Sequence, residues 1–81
     1  MKIYDYDGKK NISGERIYQA RTKKRLSQAE LAAKMQINSV MIEREAISKI
    51  ETGDRFVSDY ELFVFSKVLG VSLQWLIGID E

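Results

Sequence analysis

The 81-residue chain has no cysteine, no histidine and no proline. Without cysteine there are no disulfides, no iron–sulfur clusters, no thiolate zinc sites and no thiol nucleophile. Without histidine the commonest metal ligand and the commonest general base are missing. The chemistry left is that of carboxylates, lysine, tyrosine and serine, which usually needs a deeper cleft than so short a chain forms. No metal or cofactor is expected, nor an enzyme. The acidic side chains Glu43, Glu45, Glu51 and Asp54 are close in sequence, but helical spacing does not converge them on one pocket. No apolar run approaches the ~20 residues of a membrane span, and the first residues lack the apolar stretch of a signal peptide. A cytoplasmic protein is the expectation.

What is present fits one small globular domain. Hydrophobic residues make up 44% and charged residues 31%, both ordinary values. The net charge of +1 hides an asymmetry. Residues 1–55 carry 12 basic and 8 acidic side chains, whereas residues 56–81 carry one basic and four acidic. A basic front suits an anionic partner approached from one side; an accidental imbalance is an equal alternative on this point alone.

Turn and cap signals divide the chain into short helices. Residues 1–12 are polar with two tyrosines, and Ile3, Tyr4 and Tyr6 before Asp7-Gly8 suggest a short extended arm and turn. From Gly14 the pattern is helical, with Ile17 and Ala20 on one face and the basic run Lys23, Lys24, Arg25 at its end. Ser27-Gln28-Ala29-Glu30 is a capping box opening a small-residue helix to about Met35. Residues 36–42 connect it to a helix from about Arg44 to Glu51. Ala46, Ile47 and Ile50 face inward there, and Gly53 is placed for a left-handed stop. A second capping box, Ser58 to Glu61, opens a fourth helix that ends at Gly70. Ser72 caps a short fifth helix, Leu73 to Ile77. The expected fold is all-α: a five-helix domain over residues 13–81 behind an irregular N-terminal arm, residues 1–12.

Two short helices packed across a turn form a helix-turn-helix arrangement, whose second helix lies in the DNA major groove. Helix pairs alone are not specific; the residues are. Arg21, Leu26-Ser27-Gln28-Ala29-Glu30-Leu31-Ala32, Ala46-Ile47-Ser48-Lys49-Ile50-Glu51-Thr52-Gly53 and Leu69-Gly70-Val71-Ser72-Leu73-Gln74-Trp75-Leu76 follow in this order. Together they resemble the Xre-type helix-turn-helix family, the DNA-binding domains of phage repressor and Cro proteins, over about residues 13–77.

The resemblance implies sequence-specific binding of double-stranded DNA, as a homodimer on a two-fold operator, and repression of transcription. It implies roles residue by residue. Gln28 matches a phosphate or base contact at the start of the second helix; the alternative is an exposed first-turn residue. Glu43, Arg44 and Glu45 lie at the start of the recognition helix, where Arg44 would pair with guanine. Glu45 would accept from cytosine or orient Arg44. Ser48 and Lys49 match positions one turn on, reaching bases or phosphate; the alternative is a solvated face with helix charge pairs. Arg21 and Glu51 match a buried ion pair, unless Arg21 is instead a phosphate contact. Gly53 and Arg55 fall where family members meet the DNA backbone through loop amides, with hydroxyls of Thr52 and Ser58 nearby. Lys23, Lys24 and Arg25 are either solvated or further phosphate contacts. Trp75, Leu76, Ile77 and Ile79 match a region that commonly meets a second subunit, while Trp75 closing the core is an alternative compatible with that.

One stretch departs from the family pattern. Ile37 to Ile47 is about five residues longer than usual, where a turn of three or four residues is the norm. Either the turn is extended and Glu43 occupies the cap, or the third helix starts earlier with Ser39 as its cap. Val40-Met41-Ile42 either folds under the recognition helix or is exposed to a partner. The second choice, with Tyr4 and Tyr6, supplies the alternative function: a protein-interaction adaptor or antitoxin-like subunit on the same fold.

Overall fold

A computed structural model of the chain describes residues 6–79. Five helices follow in order: α1 (Gly14–Lys23), α2 (Gln28–Ile37), α3 (Arg44–Thr52), α4 (Asp59–Leu69) and α5 (Leu73–Leu76). The boundaries are set by local chemistry. Ser27 accepts from the Glu30 amide while the Glu30 carboxylate accepts from the Ser27 amide, and Ser58 and Glu61 repeat that reciprocal cap on α4. Ser72 caps α5 by accepting from the Trp75 amide. Gly53 stops α3 at φ +85°, in the left-handed region where a side chain is strained.

The turn between α2 and α3 is the long form, running from Asn38 to Glu43. Ser39 takes a left-handed conformation at φ +67°, and the Val40 amide then donates back to the Met35 carbonyl. Glu43 occupies the α3 cap in an extended conformation and makes no side-chain cap hydrogen bond. Val40 and Ile42 are buried and Met41 is exposed. The apolar surface on which the adaptor reading relied is therefore mostly core.

That core draws on every element. Ile17, Leu31, Met35, Ile47, Ile50, Phe65, Leu69 and Leu76 are fully buried, with Val40 and Ile42 sealing the turn side. Each such side chain contributes about 1.5–3 kcal/mol relative to exposure. Ile47 and Ile50 pin the inner side of α3 against α1 and α2, which directs its other side outward.

The front end is fastened to the end of α3. Tyr6 and Lys9 pair across a turn at Asp7-Gly8, and the Lys10 amide donates to the Gly53 carbonyl. Asn11 is the main tie: its Nδ2 donates to the carbonyls of Ile50 (3.0 Å) and Arg55 (2.8 Å), and its Oδ1 accepts from the Gly14 amide (2.7 Å). Gly14 lets α1 come this close, since a Cβ there would lie 2.0 Å from the Ile50 carbonyl oxygen. Ile3 and Tyr4 of the expected arm lie outside the described residues.

Candidate nucleic-acid interface

The outer side of α3 is open. Arg44, Glu45 and Lys49 are exposed and Ser48 is half-buried, while Ala46 and Ile47 turn inward. Glu43, just before the helix, is exposed as well. No other part of the described chain covers this strip. It is an unobstructed rod of polar side chains on a rigid apolar footing.

Gln28 sits at the first position of α2 and links the strip to the ion pair behind it. Its Nε2 donates to Glu51 Oε1 at 3.0 Å, and its Oε1 accepts from Arg44 Nη1 at 3.4 Å. Gln28 is half-buried, not a freely exposed first-turn residue. The long, exposed Arg44–Gln28 contact leaves the guanidinium free to re-aim.

Arg21 is no surface cation. Its Nε donates to Glu51 Oε2 at 2.6 Å and its Nη2 to Oε1 at 3.1 Å, while Nη1 donates to the Leu26 carbonyl at 2.7 Å. The two side chains are 11% and 6% exposed. The hydrogen bond to Glu51 holds the Arg21 guanidinium above its ordinary value, against the opposing effect of burial. The fork fixes the end of α3 to α1 and to the start of α2.

Several expected contacts past α3 are used internally. Arg55 grips Glu61 through two hydrogen bonds, of 3.0 and 3.1 Å, and donates to the Phe56 carbonyl. It is a brace between the loop and α4, because a bidentate carboxylate satisfies its planar fork. The Gly53 and Asp54 amides close the α3 cap onto Ile50 and Lys49, so neither offers a donor to a phosphate. Thr52 Oγ1 is engaged with the Lys49 carbonyl and Asp54, and Ser58 Oγ with its cap. Lys23, the last residue of α1, and Lys24 and Arg25 just past it are exposed.

The C-terminal set divides. Leu76 is fully buried and belongs to this chain's own core, so it cannot be a contact to a second subunit. Trp75 is half-buried beneath Arg16, whose guanidinium lies 4.8 Å from the ring centroid and donates to the Trp75 carbonyl. Ile77 and Ile79 remain exposed. Together with Tyr6, Ile12, Val57 and Leu62, Ile77 lines a shallow groove between the arm and α4.

Sequence reasoning missed the Asn11 tie, the Arg55–Glu61 brace and the Arg16–Trp75 stack. An Asn shortly before a helix start, able to bond a nearby backbone amide, was the readable signal for the first, although the α1 cap itself is Ser13. The other two join residues whose contact depends on tertiary placement. Among the described residues no cluster of three or more metal-ligating side chains occurs, and no helix is long and apolar enough to cross a membrane.

The class follows from α2, the turn and the outward strip of α3: this is a helix-turn-helix protein. A helix-turn-helix family profile matches residues 17–76, and the chain belongs to that family, the Xre-type one of phage repressors. Among solved structures it is similar to the P22 c2 repressor protein in complex with synthetic operator 9T. The TM-score is 0.73 at 28% identity, covering 86% of this chain and 98% of that one. No curated protein matches the chain in sequence.

Proposed function

We propose that the protein is a sequence-specific DNA-binding transcriptional regulator, a repressor, that reads the major groove with α3. The observation that carries this is the orientation of α3. Ile47 and Ile50 are locked into the core while Arg44, Glu45 and Lys49 stand free on the opposite side. The similar P22 protein is itself a repressor solved with an operator. A cytoplasmic DNA-binding role without enzymatic activity is part of the same reading.

Arg44 is the principal base reader, donating two hydrogen bonds to the O6 and N7 of a guanine. Glu45 accepts from cytosine N4 or orients Arg44. Ser48 and Lys49 act one turn further on, at bases or phosphate. Gln28 contacts phosphate at the α2 N-terminus, where partial positive charge favours it. Glu43 borders the same groove and disfavours a phosphate placed against it. Lys23, Lys24 and Arg25 add sequence-independent attraction.

The active form is a homodimer on a two-fold site, its half-sites about 34 Å apart. Tyr6, Ile12 and Ile77 are exposed along the groove between arm and α4, Ile79 is exposed two residues further on, and this is the face we assign to the second copy. In this reading residues 13–81 form the reading domain behind an N-terminal arm, residues 1–12, of which the described part, residues 6–12, is tied to the end of α3.

The test is a salt titration of binding to duplex DNA, read by fluorescence anisotropy. Affinity for random duplex should fall steeply between ~50 and ~200 mM salt as counterions are released. A chain that ignores duplex DNA at ~50 mM salt would contradict this reading and favour the adaptor.

A further inference from the structure

We infer that Met41, in the extended turn ahead of α3, is a further specificity-determining residue that packs against the C5-methyl group of a thymine at the edge of the half-site. This rests on the proposed reading of the major groove by α3.

Three observations carry it. Met41 is 76% exposed, whereas its neighbours Val40 and Ile42 are 6% and 3% exposed. The Ile42 amide donates to the Val40 carbonyl at 3.0 Å, a tight three-residue turn with Met41 at its apex, so Met41 projects outward while Val40 and Ile42 anchor the turn. The anchoring is firm. The Val40 amide donates to the Met35 carbonyl, and Gln36 Nε2 donates to the Ile42 carbonyl at 2.9 Å. Met41 thus projects from a pinned backbone, immediately before the exposed strip of Glu43, Arg44, Glu45 and Lys49.

The third observation is chemical. Met41 is a large, exposed apolar side chain two residues ahead of a strip made of charged and hydroxyl groups. Base edges in the major groove present hydrogen-bond donors and acceptors, with a single apolar feature, the thymine methyl. The thioether sulfur is only a weak acceptor, so the methyl is the better complement of this side chain there. Methionine is unbranched and adapts to such a contact without a fixed geometry. The lengthened turn therefore does more than connect two helices: it extends the reading surface by one apolar contact ahead of the recognition helix.

The experiment uses the full chain. Its site is selected from random duplex DNA, and each thymine of one half-site is then replaced in turn by deoxyuridine, which lacks only the methyl group. For the wild type, one replacement should weaken binding by about three- to fivefold, the size of one buried methyl. Met41→Ala should be insensitive to that same replacement, and Met41→Leu, which keeps the apolar surface, should stay sensitive. Thermal melts of both variants should coincide with the wild type, since Met41 is outside the core. Equal responses of wild type and Met41→Ala at every thymine would overturn the inference while leaving DNA reading intact. Failure of the wild type to select any duplex would overturn it together with the proposed function.

Discussion

Arg21 holds Glu51 with two hydrogen bonds, of 2.6 and 3.1 Å, across 30 residues of sequence. Glu51 Oε1 also accepts from Gln28, so one carboxylate joins α1, α2 and the end of α3. Removing one partner leaves a desolvated charge. Glu51→Ala should lose about 3–5 kcal/mol in urea denaturation. The double variant Arg21→Met/Glu51→Leu should recover much of that loss, because two apolar groups leave no charge buried. Similar stabilities for single and double variants would show that the pair is not coupled.

Gly14 makes a prediction against ordinary helix propensity. Gly to Ala within a helix usually stabilises by up to about 1 kcal/mol. Here the new methyl would stand 2.0 Å from the Ile50 carbonyl oxygen, which is backbone and cannot swing aside. Gly14→Ala should therefore destabilise by about 1–3 kcal/mol, measured by thermal melting. Asn11→Ala should act in the same direction through its lost ties to Ile50 and Arg55.

The Arg55–Glu61 brace gives the protein an acid-sensitive component. Burial works to raise the Glu61 carboxyl, but hydrogen bonds from Arg55 and from the Ser58 amide outweigh it and hold the group below its ordinary value. A carboxyl lowered in the native state adds stability that is complete above the unfolded value of about 4.3 and is lost as pH falls through the native value. Glu61→Gln should be less stable than wild type at pH 7, and the difference should shrink as pH falls below about 4.3, the unfolded value. Denaturation curves across that range check it; a constant difference would contradict the brace. Glu30, held low by the backbone amide and hydroxyl of Ser27, adds to the same acid limb in both proteins.

Recognition and stability should separate within α3. Arg44→Ala should weaken binding to the selected site by about 1–3 kcal/mol with an unchanged melting temperature. Ile47→Ala should unfold the domain by about 2–5 kcal/mol through a core cavity. Paired melting and anisotropy measurements on the two variants distinguish the outer side of the helix from the inner.

Local signals were the legible part. The capping boxes at Ser27 and Ser58 and the stops at Gly53 and Gly70 mark helix ends within a few residues of sequence, so all five helices could be placed. The Arg21–Glu51 pair was readable from the family resemblance. The two alternatives at Val40–Ile42 could not be separated without knowing which way the turn folded. Arg55 and the Gly53 amide have partners inside the chain that the sequence did not show, because a basic side chain and a loop amide look available in sequence. Only the fold shows that Glu61 takes the first and the α3 cap takes the second. Leu76 sits beside exposed Ile77, and a four-residue helix is too short for periodicity to tell inward from outward.

The most direct measurement is selection of binding sites from random duplex DNA by the full chain at low salt, repeated with Arg44→Ala. A single enriched motif should emerge with two-fold symmetry and half-sites one turn of DNA apart, with a guanine in each half-site that Arg44→Ala ceases to select. Recovery of no motif, or the same guanine preference from the variant, would contradict the assignment of α3 as the reading helix.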